Sequence, residues 1–191
     1  MSSSTSSVET KHPEWIATEP DWVIVRDSAE GQRQIKSKTI TYLPPTSGMV
    51  ELGLGANQPG SKMYAAYVKR AVFPFLVRPA VNALVGVMHR EDAVIEMPPA
   101  MEPIRDSATL EGESLLTLLR RINEQQIMVG RIGLLADVSS KSPLPYIVTY
   151  EAESIINWDE SRREDGKNRL DLVVLDESDF ERTSTFGWDF V

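Results

Sequence analysis

A long, largely apolar stretch interrupted by two prolines constrains the fold of this chain more than any other feature. The stretch SKMYAAYVKRAVFPFLVRPAVNALVGVMHR runs over residues 61–90 and contains Pro74 and Pro79. Apolar residues recur at helical spacing on both sides of the prolines, which predicts helices over about 61–74 and 77–89. Because a proline is tolerated best near a helix end, we expect the two helices to meet at a bend. The core residues predicted in them are Tyr64, Tyr67, Ala71, Phe75, Val81, Leu84 and Val85.

The same stretch is about long enough, from Ala71 to Met88, to raise the question of a membrane span. Arg78 lies near its middle, however, and basic residues flank both ends. A pair of buried helices in a soluble domain accounts for these residues without placing an arginine in hydrocarbon. The sequence therefore predicts no membrane association.

Composition narrows the possible classes of site. The 191 residues include no cysteine, which excludes disulfides and thiolate metal ligands, and only two histidines, His12 and His89. The formal net charge of −8 argues against a surface that wraps duplex DNA, since phosphate neutralisation requires a basic face. The amino terminus lacks the apolar core of a secretory signal, so synthesis in the cytoplasm is expected.

The first third of the chain carries little helical periodicity. We predict a disordered tail over residues 1–12 and an extended arm with a glycine-rich loop over residues 13–60. Alternation around Trp22 to Arg26 suggests a short strand, and residues 35–42 suggest a second extended piece. The run TSGMVELGLGANQPG, residues 46–60, is interpreted as a loop or linker.

The remaining chain predicts one more helix followed by strands. Residues 104–112 are interpreted as a polar connector, and a helix over about 112–129 presents the apolar stripe Leu115, Leu118, Leu119 and Ile122 and ends at Gly130. RIGLLADV, from residue 131, is typical of a buried strand, and further strands are predicted in PYIVTYEAESIINW, LDLVVLDE and the last dozen residues. The predicted fold class is α+β, with helices packed on a mostly antiparallel sheet built from about 131–191.

No set of residues predicts catalysis. GLGANQPGSK resembles a phosphate loop, but it lacks the Gly-Lys-Ser/Thr order, so a glycine hinge is the better interpretation. His89 fits a helix C-terminus, and the acidic pairs fit solvated edges rather than acid/base pairs or magnesium sites. We therefore predict no catalytic, cofactor-binding or metal-binding residue, and a protein that is not an enzyme.

Several segments together resemble the portal proteins of tailed phages, specifically a portal-like family long catalogued as a domain of unknown function in phages and prophages. The resemblance is carried by YLPP (42–45), MYAAYVKRAVF (63–73), NALVGVMHR (82–90), the Gly-Arg-x-Gly at 130–133, Pro-Tyr-x-x-x-Tyr (145–150) and Ile-Ile-Asn-Trp (155–158). His-Pro-Glu (12–14), Trp22 and Arg26-Asp27 also fit the early residues of that family. The order and spacing of these pieces cover nearly the whole chain from residue 12.

The resemblance implies a non-catalytic subunit of a ring at one capsid vertex, usually of twelve copies. It implies that terminase, capsid protein and a tail adaptor are the partners, that DNA passes through the ring without sequence-specific binding, and that the protein resides in the virion. No cofactor is implied. Residues 61–191 would correspond to the wing region. Portal subunits of this family are longer, so we expect a fragment or a shortened gene product, and the DNA-facing residues remain unassigned.

Two alternatives stay open at this point. The chain could be a phage or prophage adaptor that docks through its tryptophan-rich arm and glycine loop without forming a ring. It could also be a hydrolase or nucleotide-binding enzyme that uses the glycine loop and the scattered acids. A nucleotide- or magnesium-dependent change in melting temperature would favour the second alternative.

Overall fold

The fold, taken from a computed structural model, combines short helices with antiparallel strand pairs. The structure describes residues 7–138, 144–162, 168–178, 180–182 and 188–190. The helices are α1 (Pro13–Glu30), α2 (Gln32–Ser37), α3 (Ser47–Glu51), α4 (Pro59–Arg70), α5 (Val77–Met88) and α6 (Leu115–Val129). The strands are β1 (Ile132–Val138), β2 (Pro145–Glu151), β3 (Ile155–Arg162), β4 (Asn168–Leu175), β5 (Phe180–Arg182) and β6 (Trp188–Phe190). The α+β prediction is therefore confirmed.

The chain divides into two compact units, one of residues 1–22 and 91–191 and the other of residues 23–90, so that the boundary lies within α1. The two units carry opposite charge. Residues 23–90 hold nine Lys and Arg against three Asp and Glu, a net charge of +6, and are called the basic unit. The remainder holds eleven against twenty-five, a net charge of −14, and is called the acidic unit. The overall charge of −8 conceals this segregation.

Helix α6 organises one core of the acidic unit. It begins after Ser114, whose side chain accepts a hydrogen bond from the backbone N–H of Thr117, and it ends at Gly130 in the left-handed region, with φ of 78°. Leu118 is completely buried. The residues that pack with it are Ile104, Ala108 and Ile122, with the partly buried Leu115, Leu119, Ile132 and Ile147 around them. The predicted stripe of this helix is confirmed, although the helix begins three residues later than predicted. The segment predicted as a polar connector instead supplies Ile104 and Ala108 to this core.

The strands pair as predicted in direction but not in extent. β1 pairs with β2, β3 with β4, and β5 with β6, each antiparallel, so the described strands form three two-stranded sheets rather than one. β1 was predicted to be buried, yet Leu134, Leu135 and Val138 are exposed. Helix α6 packs on this strand pair through Ile132 and Ile147, and the side chains of Leu134, Leu135 and Val138 lie outside that core.

The predicted extended arm is wrong. Residues 13–30 form the eighteen-residue helix α1, and the stretch predicted as a second extended piece holds α2 and a 3₁₀ turn over Thr39–Thr41. Trp15, Trp22 and Ala29 recur at seven-residue intervals and are all buried. This spacing brings them to one side of a helix, and the tertiary contacts of the two tryptophans override the local β-branched pattern.

The predicted tail and loop also differ from the structure. His12 donates its backbone N–H to the carbonyl of Ile156 (2.9 Å), and the side-chain amide of Asn157 donates to the carbonyl of Thr10 (2.8 Å). Residues 10–12 are thus tied to β3, whereas residues 1–6 lie outside the described residues. The segment predicted as a loop, residues 46–60, contains the short helix α3 and the start of α4 at Pro59.

The predicted helix pair is present with shorter bounds. α4 ends at Arg70, before Pro74, and α5 runs from Val77 to Met88, with Pro79 in its first turn. Both helices belong to the basic unit and the strands to the acidic unit, so the predicted packing of these helices on the sheet stays a prediction.

Four of the predicted core residues are buried, namely Val81, Val85, Leu118 and Ile122, and five are half-buried, namely Tyr64, Tyr67, Ala71, Leu115 and Leu119. Two predictions are wrong, because Phe75 and Leu84 are 47% and 54% exposed. One face of the Phe75 ring lies against Gly31, where an added Cβ would come within 2.7 Å of the ring. Leu84 belongs to a surface described below.

Candidate interaction surfaces

A ladder of aromatic and cationic side chains joins the start of α1 to the strands of the acidic unit. The Arg131 guanidinium lies 4.9 Å from the Trp22 ring centre and 4.5 Å from that of Trp158. It also donates hydrogen bonds to the carbonyl of Ala152 (2.7 Å) and the carbonyl of Ile155 (3.0 Å). Burial lowers the Arg131 pKa from its ordinary value, while the carboxylates of Glu153 and Glu14 act to raise it. The guanidinium therefore holds two rings and two carbonyl groups together.

The ladder continues to the residues before α1. His12 stacks on Trp158 with ring centres 4.0 Å apart, and Lys11 lies 3.9 Å above the Trp15 ring. Trp15 meets Trp22 edge to face and donates its indole N–H to the carbonyl of Glu153 (3.0 Å). His12 was predicted to lie in a disordered tail; it is instead part of a packed stack.

A polar cleft of about 430 Å³ lies beside β2 in the acidic unit. Tyr146 donates its hydroxyl hydrogen to Asp137 (2.7 Å), Tyr150 does so to Glu177, and Arg121 forms an ion pair with Glu113 (2.7 Å). The hydrogen bond from Tyr146 is the main reason that the pKa of Asp137 lies below its usual range. The hydrogen bond to Glu177 and burial raise the pKa of Tyr150 to about 12. Asp137 thus stays ionised, and Tyr146 and Tyr150 stay protonated, at neutral pH. The two hydrogen bonds are suited to holding β1, β2 and the segment after β4 together.

A buried carboxylate organises the basic unit. Asp27 is 4% exposed and accepts hydrogen bonds from Gln34 (2.9 Å) and Tyr42, and its ion pair with Lys38 measures 2.6 Å. Burial is the largest influence on the pKa of Asp27 and raises it, but these three donors together outweigh burial and leave the pKa below 3.8. Burial and the neighbouring carboxylate raise the pKa of Tyr42 to about 12. The network joins α1, α2 and the turn that follows.

The acidic unit exposes an apolar groove of about 410 Å³. Its lining includes Gly133, Leu134 and Leu135 from β1 and Leu170, Val173 and Leu175 from β4. Leu134 and Leu170 are both more than half exposed. Acidic residues adjoin this groove, because Asp137 follows Leu135 on the same side of β1, and Asp171 directly follows Leu170 at an irregularity in the pairing of β4 with β3. One cation, Arg131, belongs to the lining itself. The apolar side chains of this groove therefore have the carboxylates of Asp137 and Asp171 close to them in sequence.

The basic unit exposes a second apolar surface along α5 and the segment before it. The exposed members of this apolar stripe are Val72, Phe75, Leu76, Leu84, Val87 and Met88. Helix α5, with the sequence VRPAVNALVGVM, is apolar on nearly every side, a composition typical of a helix covered all round. Only Val81 and Val85 are buried. Lys69, Arg70 and Arg90, at the two ends of this region, are exposed cations.

The remaining residues considered in the sequence do not converge on a reactive centre. In the glycine-rich segment, the Gln58 side chain accepts a hydrogen bond from Gly55 N–H (2.8 Å) and occupies the turn. Gly60 is packed against backbone, since an added Cβ would lie 2.0 Å from the Met49 carbonyl oxygen. This segment therefore forms a compact turn, and the predicted hinge stays a prediction. His89 caps α5, as the sequence predicted.

Neither a metal site nor a membrane-spanning helix occurs among the described residues. No group of three or more His, Asp or Glu side chains in that part of the chain is arranged to hold a metal ion. Nor does any helix in the described ranges combine the length and the apolar character that a bilayer span requires.

Sequence reasoning missed the central roles of Asp27 and Arg131. In the sequence, Asp27 looked like a turn residue. Its partners Gln34 and Lys38 lie seven and eleven residues further along the chain, and no local pattern links them to it. Arg131 looked like the start of a strand. The excess of tryptophan near residues 15–22 was a usable signal, since a cation commonly packs on such rings.

Comparison with known proteins adds no family assignment. No protein-family model matches the chain, and no curated protein matches it.

Proposed function

We propose that this chain is a structural component of a phage portal, the ring at a capsid vertex through which DNA is packaged and ejected and to which the tail attaches. Its role is to form part of the wall of that ring, with no reaction catalysed by its own residues. The proposal starts from the ordered set of segments that resemble the portal family. What supports it further is the part those segments play in this fold.

The single observation that carries the proposal is that residues of different segments contact one another. Tyr42 of YLPP donates to Asp27 of the Arg26-Asp27 pair. Arg131 of Gly-Arg-x-Gly contacts Trp22 and Trp158, the last residue of Ile-Ile-Asn-Trp. Residues far apart in sequence thus act together to define one architecture, as expected of segments inherited as a set by a structural family.

A second observation favours an assembly protein. The chain exposes two apolar surfaces on units of opposite charge. Contiguous apolar surface of this kind commonly marks a site of protein association. A ring built from one kind of subunit requires two different, mutually complementary surfaces on every copy. The net charge of the acidic unit also suits a channel wall along which DNA slides instead of being held.

The proposal is tested in particles of the phage or prophage that encodes the chain. An antibody or tag on this chain should label one vertex of each particle, and disruption of the gene should give heads without packaged DNA. A matched control is a tag on the major capsid protein, which should label the whole shell. Absence of the chain from purified particles would refute the portal proposal.

Electron microscopy of the purified protein separates the portal from the adaptor alternative. A portal component should give closed rings, with twelve copies as the expected number. A chain that labels the vertex and yet remains monomeric at high concentration would favour an adaptor that docks without forming a ring.

A further inference from the structure

We propose that copies of this chain associate head to tail through two defined surfaces. The apolar stripe of the basic unit of one copy lies against the apolar groove of the acidic unit of the next copy. The inference rests on the proposed function in one respect, because a head-to-tail contact is the kind that closes a ring. It adds the location and the chemistry of that contact.

Helix α5 lacks a cover for much of its surface. Leu84, Val87 and Met88 follow the i, i+3, i+4 spacing of one helical face and are more than half exposed. Val72 and Leu76, just before the helix, extend the exposed surface. Burying a side chain of this size is worth about 1.5–3 kcal/mol, so a partner with an apolar surface gains substantially by covering it.

The apolar groove of the acidic unit offers a matching surface. Leu134, Leu135, Leu170 and Val173 expose between 38% and 55% of their surface. Leu134 and Leu135 stand on the β1–β2 pair, and Leu170 and Val173 stand on the β3–β4 pair. A helix whose apolar face enters such a groove is a common mode of protein recognition.

The charges beside the two surfaces favour a second copy of this chain as the occupant of the groove. Exposed Lys69, Arg70 and Arg90 accompany the stripe, whereas Asp137 and Asp171 accompany the groove. The units that carry them have net charges of +6 and −14. Like surfaces would repel, so an isologous contact of stripe with stripe or groove with groove is disfavoured. A contact between the stripe and the groove buries apolar side chains on each side and brings opposite charges together. A second copy of this chain carries both surfaces.

Nucleic acid fits the stripe less well. Phosphate binding requires cations on a polar face, whereas the exposed cations here accompany large apolar side chains such as Leu76 and Val87. Association of copies accounts for both kinds of residue. Binding of DNA by the basic unit is treated as an outcome of the test.

The test uses two charge-reversal variants of the full chain. The first, Lys69→Glu/Arg70→Glu, makes the stripe side acidic, and the second, Asp137→Lys/Asp171→Lys, makes the groove side basic. Sedimentation velocity at about 0.05 M salt should show self-association of the unaltered chain that weakens at about 0.5 M, where exposed charges are screened. Each variant alone should associate at least about tenfold more weakly than the unaltered chain.

Mixing the two variants is the decisive arm. In the mixture, the acidified stripe of one variant faces the basic groove of the other, and the two unaltered surfaces also match. The mixture should therefore recover association that neither variant shows alone. The control Lys62→Glu changes the charge of the first turn of α4, outside the stripe, and should associate like the unaltered chain. Far-UV circular dichroism confirms that each variant is folded.

Two results would overturn the inference. One is self-association that both reversals leave unchanged, or a mixture that gains nothing over its components. The other is a monomeric chain whose basic unit binds a labelled DNA duplex, with binding lost in Lys69→Glu/Arg70→Glu, which would make the basic unit a nucleic-acid surface. If both charge-reversal variants still form rings, the proposed contact between stripe and groove is wrong, but the portal proposal is not affected. If the chain self-associates in a salt-dependent way but is absent from phage particles, the portal proposal is wrong, but the proposed contact is not affected.

Discussion

Helices α5 and α6 are of similar length but differ in how their apolar residues are used. α6 is amphipathic: its apolar stripe includes the completely buried Leu118, and charged residues such as Arg120 are exposed to solvent. α5 has one charged residue, Arg78, and is apolar on nearly every other side, but it buries only Val81 and Val85. The comparison indicates that α6 serves the stability of the folded chain, whereas α5 retains apolar surface for a contact outside it.

The comparison is tested most strongly at Leu118. Leu118→Ala should lower the free energy of unfolding by about 2–5 kcal/mol, because it removes a fully buried side chain and leaves a cavity. All four tryptophans belong to the acidic unit, so their fluorescence during urea denaturation reports this loss directly. A change below about 1 kcal/mol would contradict the assignment of Leu118 to a close-packed core.

The basic unit is stabilised differently, through the buried carboxylate of Asp27. Asp27→Asn should lower the stability of this unit by about 1.5–3 kcal/mol, since hydrogen bonds to a charged group are lost and Lys38 loses its ion pair. Circular dichroism is the appropriate measurement, because the basic unit contains no tryptophan. Asp21→Asn, an exposed position on the same helix, is the matched control and should change stability little.

The same network fixes a pH dependence. The pKa of Asp27 is lowered on folding, so its contribution is complete above about pH 3.8 and is lost as the pH falls through the lower folded pKa. The pKa of Tyr42 is raised from 10.0 to about 12, so its contribution is complete below pH 10.0 and is lost as the pH rises towards 12. Asp27→Asn should therefore reduce the dependence of the free energy of unfolding on pH in both the acidic and the alkaline range. An unchanged pH dependence would show that other groups produce it.

Arg131→Lys should destabilise the acidic unit by about 1–2 kcal/mol. Lysine keeps the charge but loses the flat guanidinium that stacks on Trp22 and Trp158 and donates to two carbonyl groups. Tryptophan fluorescence and the urea midpoint measure the effect. Arg120→Lys, on the exposed side of α6, is the control. An equal loss of stability in Arg131→Lys and Arg120→Lys would show that the ladder does not stabilise the acidic unit.

Leu84→Ala should have the smallest effect on the monomer, below about 0.5 kcal/mol, because Leu84 is already more than half exposed. The same substitution should weaken self-association, since it removes part of the apolar stripe. Urea denaturation of the dilute chain and sedimentation velocity of the concentrated chain measure the two quantities. A large loss of monomer stability with unchanged association would place Leu84 in a core.

The sequence was a good guide where one local signal decided the structure. Ser114, Gly130 and the stripe of Leu118 and Ile122 define α6 without reference to the rest of the chain. It was a poor guide where distant contacts decided. The β-branched residues after Trp22 favour a strand locally, but Trp15 and Trp22 pack with Ala152 and Ile156, and this packing selects the helix. Periodicity alone likewise assigned Leu84 to a core, because apolar spacing predicts a face that needs a cover but does not say which molecule supplies it.

The central claim is that the exposed face of α5 is covered by another copy of the chain. The chain has no cysteine, so Val87→Cys, at a side chain that is 74% exposed, introduces a single reporter thiol. Its rate of reaction with a maleimide should fall roughly tenfold as protein concentration passes the midpoint of self-association. The thiol of a Lys62→Cys control should react at a constant rate. A Val87→Cys thiol that reacts equally fast at every concentration, in a chain shown to associate, would contradict the account.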